Sequence, residues 1–473
     1  MYCVVSLVGE SVETSGWILL TENPEAVLCA LERGETDGIL PAACGFMDRF
    51  AQFMLKLGIC KLFDQFPDHR KRKWITPFFF CNVLLHKTLF RLQSLSAIGP
   101  FLFSSPDVMR TLGFQMRQIQ QGFYKGAQMR PFNEEALSDF FASCELADFL
   151  VHQKLMLKEL LENVPEITSD GSIVLDVVDV RMPDGRKQKG QEHLEVCVLS
   201  SMSKQELLPI LWNISEADQK ADVTQGKELI SHALPMLSGK IKRLIVDRGF
   251  ISGKWISGLK KSGLDVVIGL KSDMILHQDM MALSELDETI WIGVYPPKYY
   301  KGEIPKRDIC YLSDLEMWEE CKVPLAGIVI RDSYKDKTKY YSVVTTDLEA
   351  EPEQIHEWIR SRWGIEETFM SESRYGCLNS LGACRKSVGA AATHFSLLAY
   401  TLLNLFARQD ESECSRPKLQ MPTGRVEFVA YWQGHYAIIF PSQLVELVAR
   451  CAPTWGERLP SVLQKLRAVE QPP

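Results

Sequence analysis

The amino-acid sequence predicts an α/β fold: a mixed sheet flanked by helices, interrupted by a β-rich stretch and preceded by a helical N-terminal region. Three observations lead there. Through the early part of the chain apolar residues recur at helical spacing, as at Phe50, Phe53, Met54 and Leu57. From Ile173 the pattern changes to β-branched runs, Ile173 to Val180, Leu194 to Leu199 and Leu207 to Ile214. Between Ile241 and Leu270 a strand, a helix and a strand follow at the spacing of a βαβ unit, so part of the sheet is expected to be parallel.

Composition bounds the function. At 473 residues and 46% hydrophobic content, the chain can build two or three domains with real cores. Its 13 cysteines, scattered from Cys3 to Cys451 without a Cys-x-x-Cys pair, suggest neither a disulfide framework nor a zinc cluster and fit a reducing interior. The longest apolar runs, near Phe78 to Leu85 and Phe395 to Phe406, fall short of the roughly 20 residues that cross a bilayer, and no basic segment precedes the N-terminal apolar patch. A cytoplasmic location is expected. The net charge of −7 argues against a globally basic nucleic-acid binder, leaving a local basic surface as the form DNA binding would take.

Along the chain, Met1 to Val8 reads as a strand and Pro24 to Arg33 as a helix. A helix over Phe46 to Asp64 has Gly58 as a stop. Pro67 to Trp74 holds the densest basic run, Arg70, Lys71, Arg72 and Lys73, which is either a solvated loop or a phosphate-contacting patch. Helices follow over Ile75 to Leu92, Ser105 to Leu112 and Asn133 to Val164, punctuated by Arg110, Arg117, Lys125 and Arg130. Residues 1–165 are thus expected to be a helical, DNA-binding region.

The sheet begins at residue 166 and runs to 270, with Pro183-Asp184-Gly185 as a turn. Residues 271–335, with Trp291 and Pro296-Pro297, read as short strands of an insertion outside the main sheet. Residues 336–408 return to the core with a strand at Lys339 to Thr345, a helix opening near Pro352 and a buried helix over Gly389 to Ala407. A polar, proline-bearing C-terminal region, 409–473, follows.

Chemistry gathers around Trp358 to Arg374. On a helical period Arg362, Glu366 and Ser373 share one side, and Trp363 and Met370 supply apolar surface to seat the helix. Alone, Arg362 and Glu366 are a surface pair contributing about 0.3–0.5 kcal/mol. Upstream, however, Asp176 closes Ile-Val-Leu and Asp247 closes Leu-Ile-Val. Two acids at strand ends and a third on a later helix are what a divalent-metal site for phosphoryl transfer requires. Asp179 rivals Asp176 from the opposite strand face, whereas Asp170, before Gly171, reads as a turn residue.

In this order the motifs resemble the DDE transposases of bacterial insertion sequences, in the group whose RNase H-like core is interrupted by a β-rich insertion. The signature of that group is Tyr, two residues, Arg, three residues, Glu, six residues, Lys; here those positions hold Ile359, Arg362, Glu366 and Ser373. The wording around Glu366 and the Val-Asp247-Arg-Gly-Phe250 motif stay close to the family, and the likeness runs from Phe46 to Phe406. It implies an RNase H-like mixed sheet, and a nuclease and strand transferase that cuts double-stranded DNA at element ends and joins the 3′-hydroxyls to target DNA. It further implies two Mg²⁺ ions, with Mn²⁺ as substitute, Asp176 bridging both and Asp247 and Glu366 each on one. A homodimer in the DNA complex and a bacterial, nucleoid-associated location go with it.

Arg362, Arg374 and Trp291, with the basic run Arg70 to Lys73, are the candidate DNA contacts. Arg362 either orients Glu366, touches a phosphate or forms a plain salt bridge. Arg374 or Lys386 would replace the cation missing at Ser373. Trp291 either stacks an extruded base or packs in the strand surface. The changed positions Ile359 and Ser373 keep two other readings open: an inactive DNA-binding derivative, and a nuclease without strand transfer.

Overall fold

β-Branched residues pack well on a pleated, buried surface, and the run that begins at Ser172 forms an interior strand of the main sheet. In the computed structural model the described residues are 21–41, 43–90, 92, 94–103, 109, 112–115, 118–119, 122–125, 128–130, 132–181, 193–203, 206–216, 221–286, 290–295, 305–316, 318–334, 337–362, 385–409, 428–439, 447, 450 and 453. The expected strand at Met1 to Val8, the turn at Pro183 to Gly185, Arg110 and Arg117 lie outside them, as does most of the helix expected at Ser105 to Leu112. The chain divides into two units, one of residues 149–374 and one of 1–148 with 375–473.

The first unit holds a nine-stranded sheet. Its strands are β1 (Ser172–Arg181), β2 (His193–Ser203), β3 (Glu206–Glu216), β4 (Arg243–Val246), β5 (Asp265–Gly269), β6 (Trp291–Val294), β7 (Lys306–Leu315), β8 (Leu325–Ser333) and β9 (Thr338–Thr345). They lie in the order β6-β7-β8-β9-β5-β4-β1-β2-β3. β1, β4 and β5 are parallel neighbours and every other pairing is antiparallel. Parallel strands are covered on both faces, which is why Ile173, Val174, Leu175, Leu244, Ile245, Val246, Val266 and Val267 are all buried. β3 forms one edge, and Pro209, which has no N–H for a ladder, sits there at the register shift against Leu199 and Ser200.

Helices α1 (Asp222–Leu237), α2 (Gly253–Lys261), α3 (Ile275–Ser284) and α4 (residues 352–362) belong to this unit. Gly263, at φ 82°, ends α2 by turning into the left-handed region that favours glycine.

One expectation changes here. Residues 271–335 were expected to stand apart from the main sheet, but β9 pairs with the edge of β5 and carries β8, β7 and β6 into it. Charged residues gave this stretch a surface character, and the fold neutralises them internally. Arg307 donates to both carboxylate oxygens of Asp332 at 2.6 and 2.7 Å, with both side chains almost wholly buried. Asp308, also buried, lies 3.5 Å from Arg331.

The second unit is mainly helical and packed with aromatic rings. The single helix expected over Phe46 to Asp64 is two, Ala43–Lys56 and Ile59–Asp64, parted at Gly58 with φ 73°. Asn133 to Val164 is likewise broken, into Glu134–Ala142 and Leu146–Asn163, the latter falling mostly in the first unit. The helix Pro77–Leu89 is buried at every residue from Phe78 to Leu89. The helix Lys386–Gln409, expected in the second half of the core, packs in this unit: Phe395 lies 6.0 Å from Phe63 and 5.7 Å from Phe141, and Phe406 5.5 Å from Phe50. Its span Lys386–Arg408 is long and apolar enough to cross a membrane by length and composition, and 83% of its apolar window is buried in the protein. A four-stranded sheet joins early and late sequence, in the order Thr21–Glu22, His435–Ile439, Phe428–Trp432, Gly38–Pro41.

Candidate active site

Two strands that start level bring two acids level. In the parallel pairing of β1 and β4, Ser172 stands opposite Arg243 and Leu175 opposite Val246, so the next position on each chain is Asp176 and Asp247. Both leave the apolar layer where their strands emerge from it. Asp176 Oδ1 accepts a hydrogen bond from Val177 N at 2.9 Å, and Asp247 Oδ1 accepts one from Arg248 N as the cap of the one-turn helix Arg248–Phe250. Each acid thus uses one oxygen on backbone and turns the other inward.

Both inward oxygens face Arg362, at the end of α4. The same Nη1 lies 3.3 Å from Asp176 Oδ2 and 3.9 Å from Asp247 Oδ2. Asp176 and Arg362 have largely buried side chains, while Asp247 is 40% exposed and forms the open side of the group. Asp179 is exposed and stands opposite Glu195 on β2, away from this arrangement. With Glu195 and Asp222 it forms an acidic rim: burial pushes the Asp222 carboxyl above its ordinary range, and Glu195, Asp179 and Asp247 push the same way. Cys197 stands opposite Val177 and is fully buried; burial first and the Asp176 charge next push its thiol up.

Close packing sets the position of the two acids. Gly226 on α1 faces Phe250 and Leu175; a Cβ there would come within 2.7 Å of Phe250 Cε1 and 2.9 Å of Leu175 Cδ2. Leu175 precedes Asp176, and Phe250 ends the turn that Asp247 opens. Gly249, in the same turn, leaves room for Asp222, whose Oδ2 would be 2.9 Å from an added Cβ.

Glu366 and Arg374, with Trp363, Met370 and Ser373, lie outside the described residues. Ile359 is half-buried on α4. In the basic run, Arg70 is turned inward: it donates to Asp68 Oδ1 and Oδ2 at 2.8 Å each and to the Ile75 carbonyl at 2.6 Å, and its guanidinium lies over Phe80 and Phe140. Lys71, Arg72 and Lys73 are exposed. Trp291 is half-buried, donates from Nε1 to the Ser284 carbonyl at 3.2 Å and carries Arg331 over its ring at 4.0 Å. Sequence reasoning missed Arg243 and Trp358, which stack beneath the acids. The only signal for them is position: each stands four residues before a member of the site.

Asp176 and Asp247 present hard oxygen donors to one shared cationic group, the chemistry that suits a divalent metal such as Mg²⁺. Among the described residues no cluster of three or more potential metal-ligating side chains occurs, so these two acids are a partial set.

A family model described as "Transposase DDE domain" matches residues 169–402. No curated protein matches the sequence. Among solved structures, the chain is similar to a piggyBac transposase in a cryo-EM structure of its synaptic complex with hairpin DNA. That likeness has 12% identity, 80% coverage of each chain and a TM-score of 0.43, too low to support any assignment.

Proposed function

Residues 169–402 belong to the transposase DDE domain family, and from that premise we propose that this chain cuts DNA at the ends of its own insertion sequence and joins the freed 3′-hydroxyls to target DNA. The observation that carries the reading is the convergence on Arg362 of Asp176, within β1, and Asp247, just past the end of the adjacent parallel strand β4. The mixed sheet serves as an RNase H-like core, with residues 1–165 as the DNA-binding region and 271–335 as an insertion whose strands extend that sheet.

Asp176, Asp247 and Glu366 hold Mg²⁺, or Mn²⁺ in its place. When bound, the metal supplies Lewis-acid stabilisation of charge on the phosphoryl oxygens. The protein's own residues do the rest. Asp176 and Asp247 are oriented by backbone N–H groups, so their inward oxygens need no reorganisation. Arg362 neutralises the pair and lies where a scissile phosphate would find a donor. Lys71, Arg72, Lys73 and Arg374 contact phosphates, and Trp291 presents an aromatic face to DNA, while Arg70 shapes the loop that bears its basic neighbours. Cutting two ends together calls for a homodimer on DNA.

The test is to incubate the purified chain with Mg²⁺ or Mn²⁺ and DNA bearing the sequences that flank its gene, beside Glu366→Gln and Asp247→Asn. Cuts at defined ends, joined to target and absent from both variants, are expected. Cuts without joining would indicate a nuclease, and binding without any cut the inactive DNA-binding derivative that Ile359 and Ser373 bring into view.

A further inference from the structure

Beneath the acidic pair lies a second cluster that the proposed chemistry does not touch. Arg243 opens β4, and its Cζ lies 3.2 Å from the centroid of the Trp358 ring on α4. Its Nη1 donates to Ser172 Oγ at 3.0 Å, at the start of β1, and its Nη2 to Asp347 Oδ2 at 3.3 Å, just after β9. The Arg243 side chain is 14% exposed. One guanidinium therefore ties the start of β1 and the start of β4 to the segment after β9 and to α4, stretches 71 or more residues apart except for the last two.

The cluster and the acidic site are in step. Ser172 stands four residues before Asp176, Arg243 four before Asp247, and Trp358 four before Arg362. Four residues is two full pleat periods on a strand and just over one turn on a helix, so on each element the two positions share a face. Ser172 and Arg243 are also direct partners across the parallel pairing. α4 is thus fixed to β4 at two points, Trp358 on Arg243 and Arg362 beside Asp247. One attachment would leave the helix free to pivot, while two set both its direction and its register.

Resting on the transposase reading, we propose that Arg243 is a positioning residue for DNA cleavage. Its stack on Trp358 and its bonds to Ser172 and Asp347 determine where Arg362 meets Asp176 and Asp247. Arginine suits this place because a planar guanidinium stacks through its face while donating sideways through its edge, which a lysine ammonium cannot do.

The experiment uses the full chain as Arg243→Met, Arg243→Lys, Trp358→Leu and Trp358→Phe, reading single-turnover cleavage with Mn²⁺, DNA Kd, and hydrogen exchange by peptide. Arg243→Met and Trp358→Leu should cut roughly 10- to 100-fold more slowly at unchanged DNA Kd, the scale of effect expected when reacting groups are slightly misplaced. Exchange over residues 352–362 should rise about tenfold in both while β2 and β3 exchange as in the wild type, a local opening rather than a global one. Trp358→Phe keeps a ring face and should stay within about threefold of wild type, whereas Arg243→Lys should behave like Arg243→Met.

Wild-type cutting rates in Arg243→Met, or exchange that rises equally everywhere, would overturn the positioning role alone. A wild-type chain that binds DNA and cuts none in Mg²⁺ or Mn²⁺ would remove the catalytic reading, and the role of Arg243 in cleavage with it.

Discussion

Arg362 Nη1 stands 3.3 Å from Asp176 Oδ2, and the same nitrogen is within 3.9 Å of Asp247 Oδ2. The guanidinium is the shared counter-charge of two carboxylates that would otherwise repel. Arg362→Gln leaves those acids facing each other across a neutral amide, which should lower stability by about 1–3 kcal/mol. A divalent cation should then compensate: Mg²⁺ should raise the Tm of Arg362→Gln more than that of the wild type. Equal protection of both proteins would mean that the acids do not converge on a cation.

The two first-strand acids differ in setting, so they should differ in function. Asp176→Asn and Asp247→Asn are each expected to lower metal-dependent cleavage on the order of 10³-fold, as removal of a charge that organises phosphoryl transfer does. Asp179→Asn, on the exposed rim, should stay within a few-fold of wild type. Cleavage rates measured side by side decide it, and a reversed pattern would make Asp179 the working acid.

What could be read from the sequence follows from how local the signals are. Ile-Val-Leu before Asp176 and Leu-Ile-Val before Asp247 are uninterrupted apolar runs followed by an acid, so both strands and their carboxylates were visible without tertiary information, although β1 continues past Asp176 to Arg181 rather than ending there. The strands β7 and β8 were not recognised as part of the main sheet, because Arg307, Asp308 and Asp332 look like surface residues until the pairing of β7 with β8 joins Arg307 to Asp332. Arg243 was invisible for a related reason. A lone arginine before an apolar run reads as solvated, and only the return of α4 far later in the chain places Trp358 over it. Arg70 looked like a member of a basic patch although Asp68, two residues earlier, captures it.

That division within the basic run is itself testable. Replacing Lys71, Arg72 and Lys73 by alanine should leave stability nearly unchanged and reduce the salt slope of DNA binding by about 0.9 for each side chain that meets a phosphate. Arg70→Ala should do the opposite, costing roughly 2–3 kcal/mol in denaturant unfolding because Asp68 is left largely buried without its partner. Burial pushes the Asp68 carboxyl up, but the Arg70 hydrogen bonds and charge bring it below its ordinary value, which marks how strongly the pair is coupled. A salt slope unmoved by the triple alanine variant would place the DNA surface elsewhere.

Gly226 supports both acids at once. The Cβ of Gly226→Ala would press on Phe250 Cε1 at 2.7 Å and Leu175 Cδ2 at 2.9 Å, neighbours of Asp247 and Asp176 in sequence. Overpacking of this kind costs about 1–3 kcal/mol, and the displacement should also slow cleavage beyond what the loss of folded protein explains. Comparing activity per folded molecule with the melting temperature separates the two effects; unaltered stability would show that α1 can shift away freely.

Stability should also fall in mild acid, and α4 supplies a reason. His356 is 3% exposed, with Nε2 lacking a hydrogen-bond partner, near the buried Arg307–Asp332 pair. Burial first, and the Arg307 charge next, lower its pKa to about 4 from 6.5. The folded protein therefore keeps a neutral imidazole while the unfolded chain takes up a proton sooner as pH falls. Stability tied to His356 is complete above pH 6.5 and is lost as pH drops toward 4, amounting to roughly 1–2 kcal/mol between pH 7 and 5. His86, in the other unit and also lowered to about 4 by burial, adds a loss of the same sign. His356→Gln removes one titration and keeps the other, so its unfolding free energy should change less between pH 7 and 5 than that of the wild type. Identical pH profiles for the two proteins would mean that the imidazole takes up its proton in the fold as readily as in the unfolded chain, so that His356 contributes nothing to the acid sensitivity.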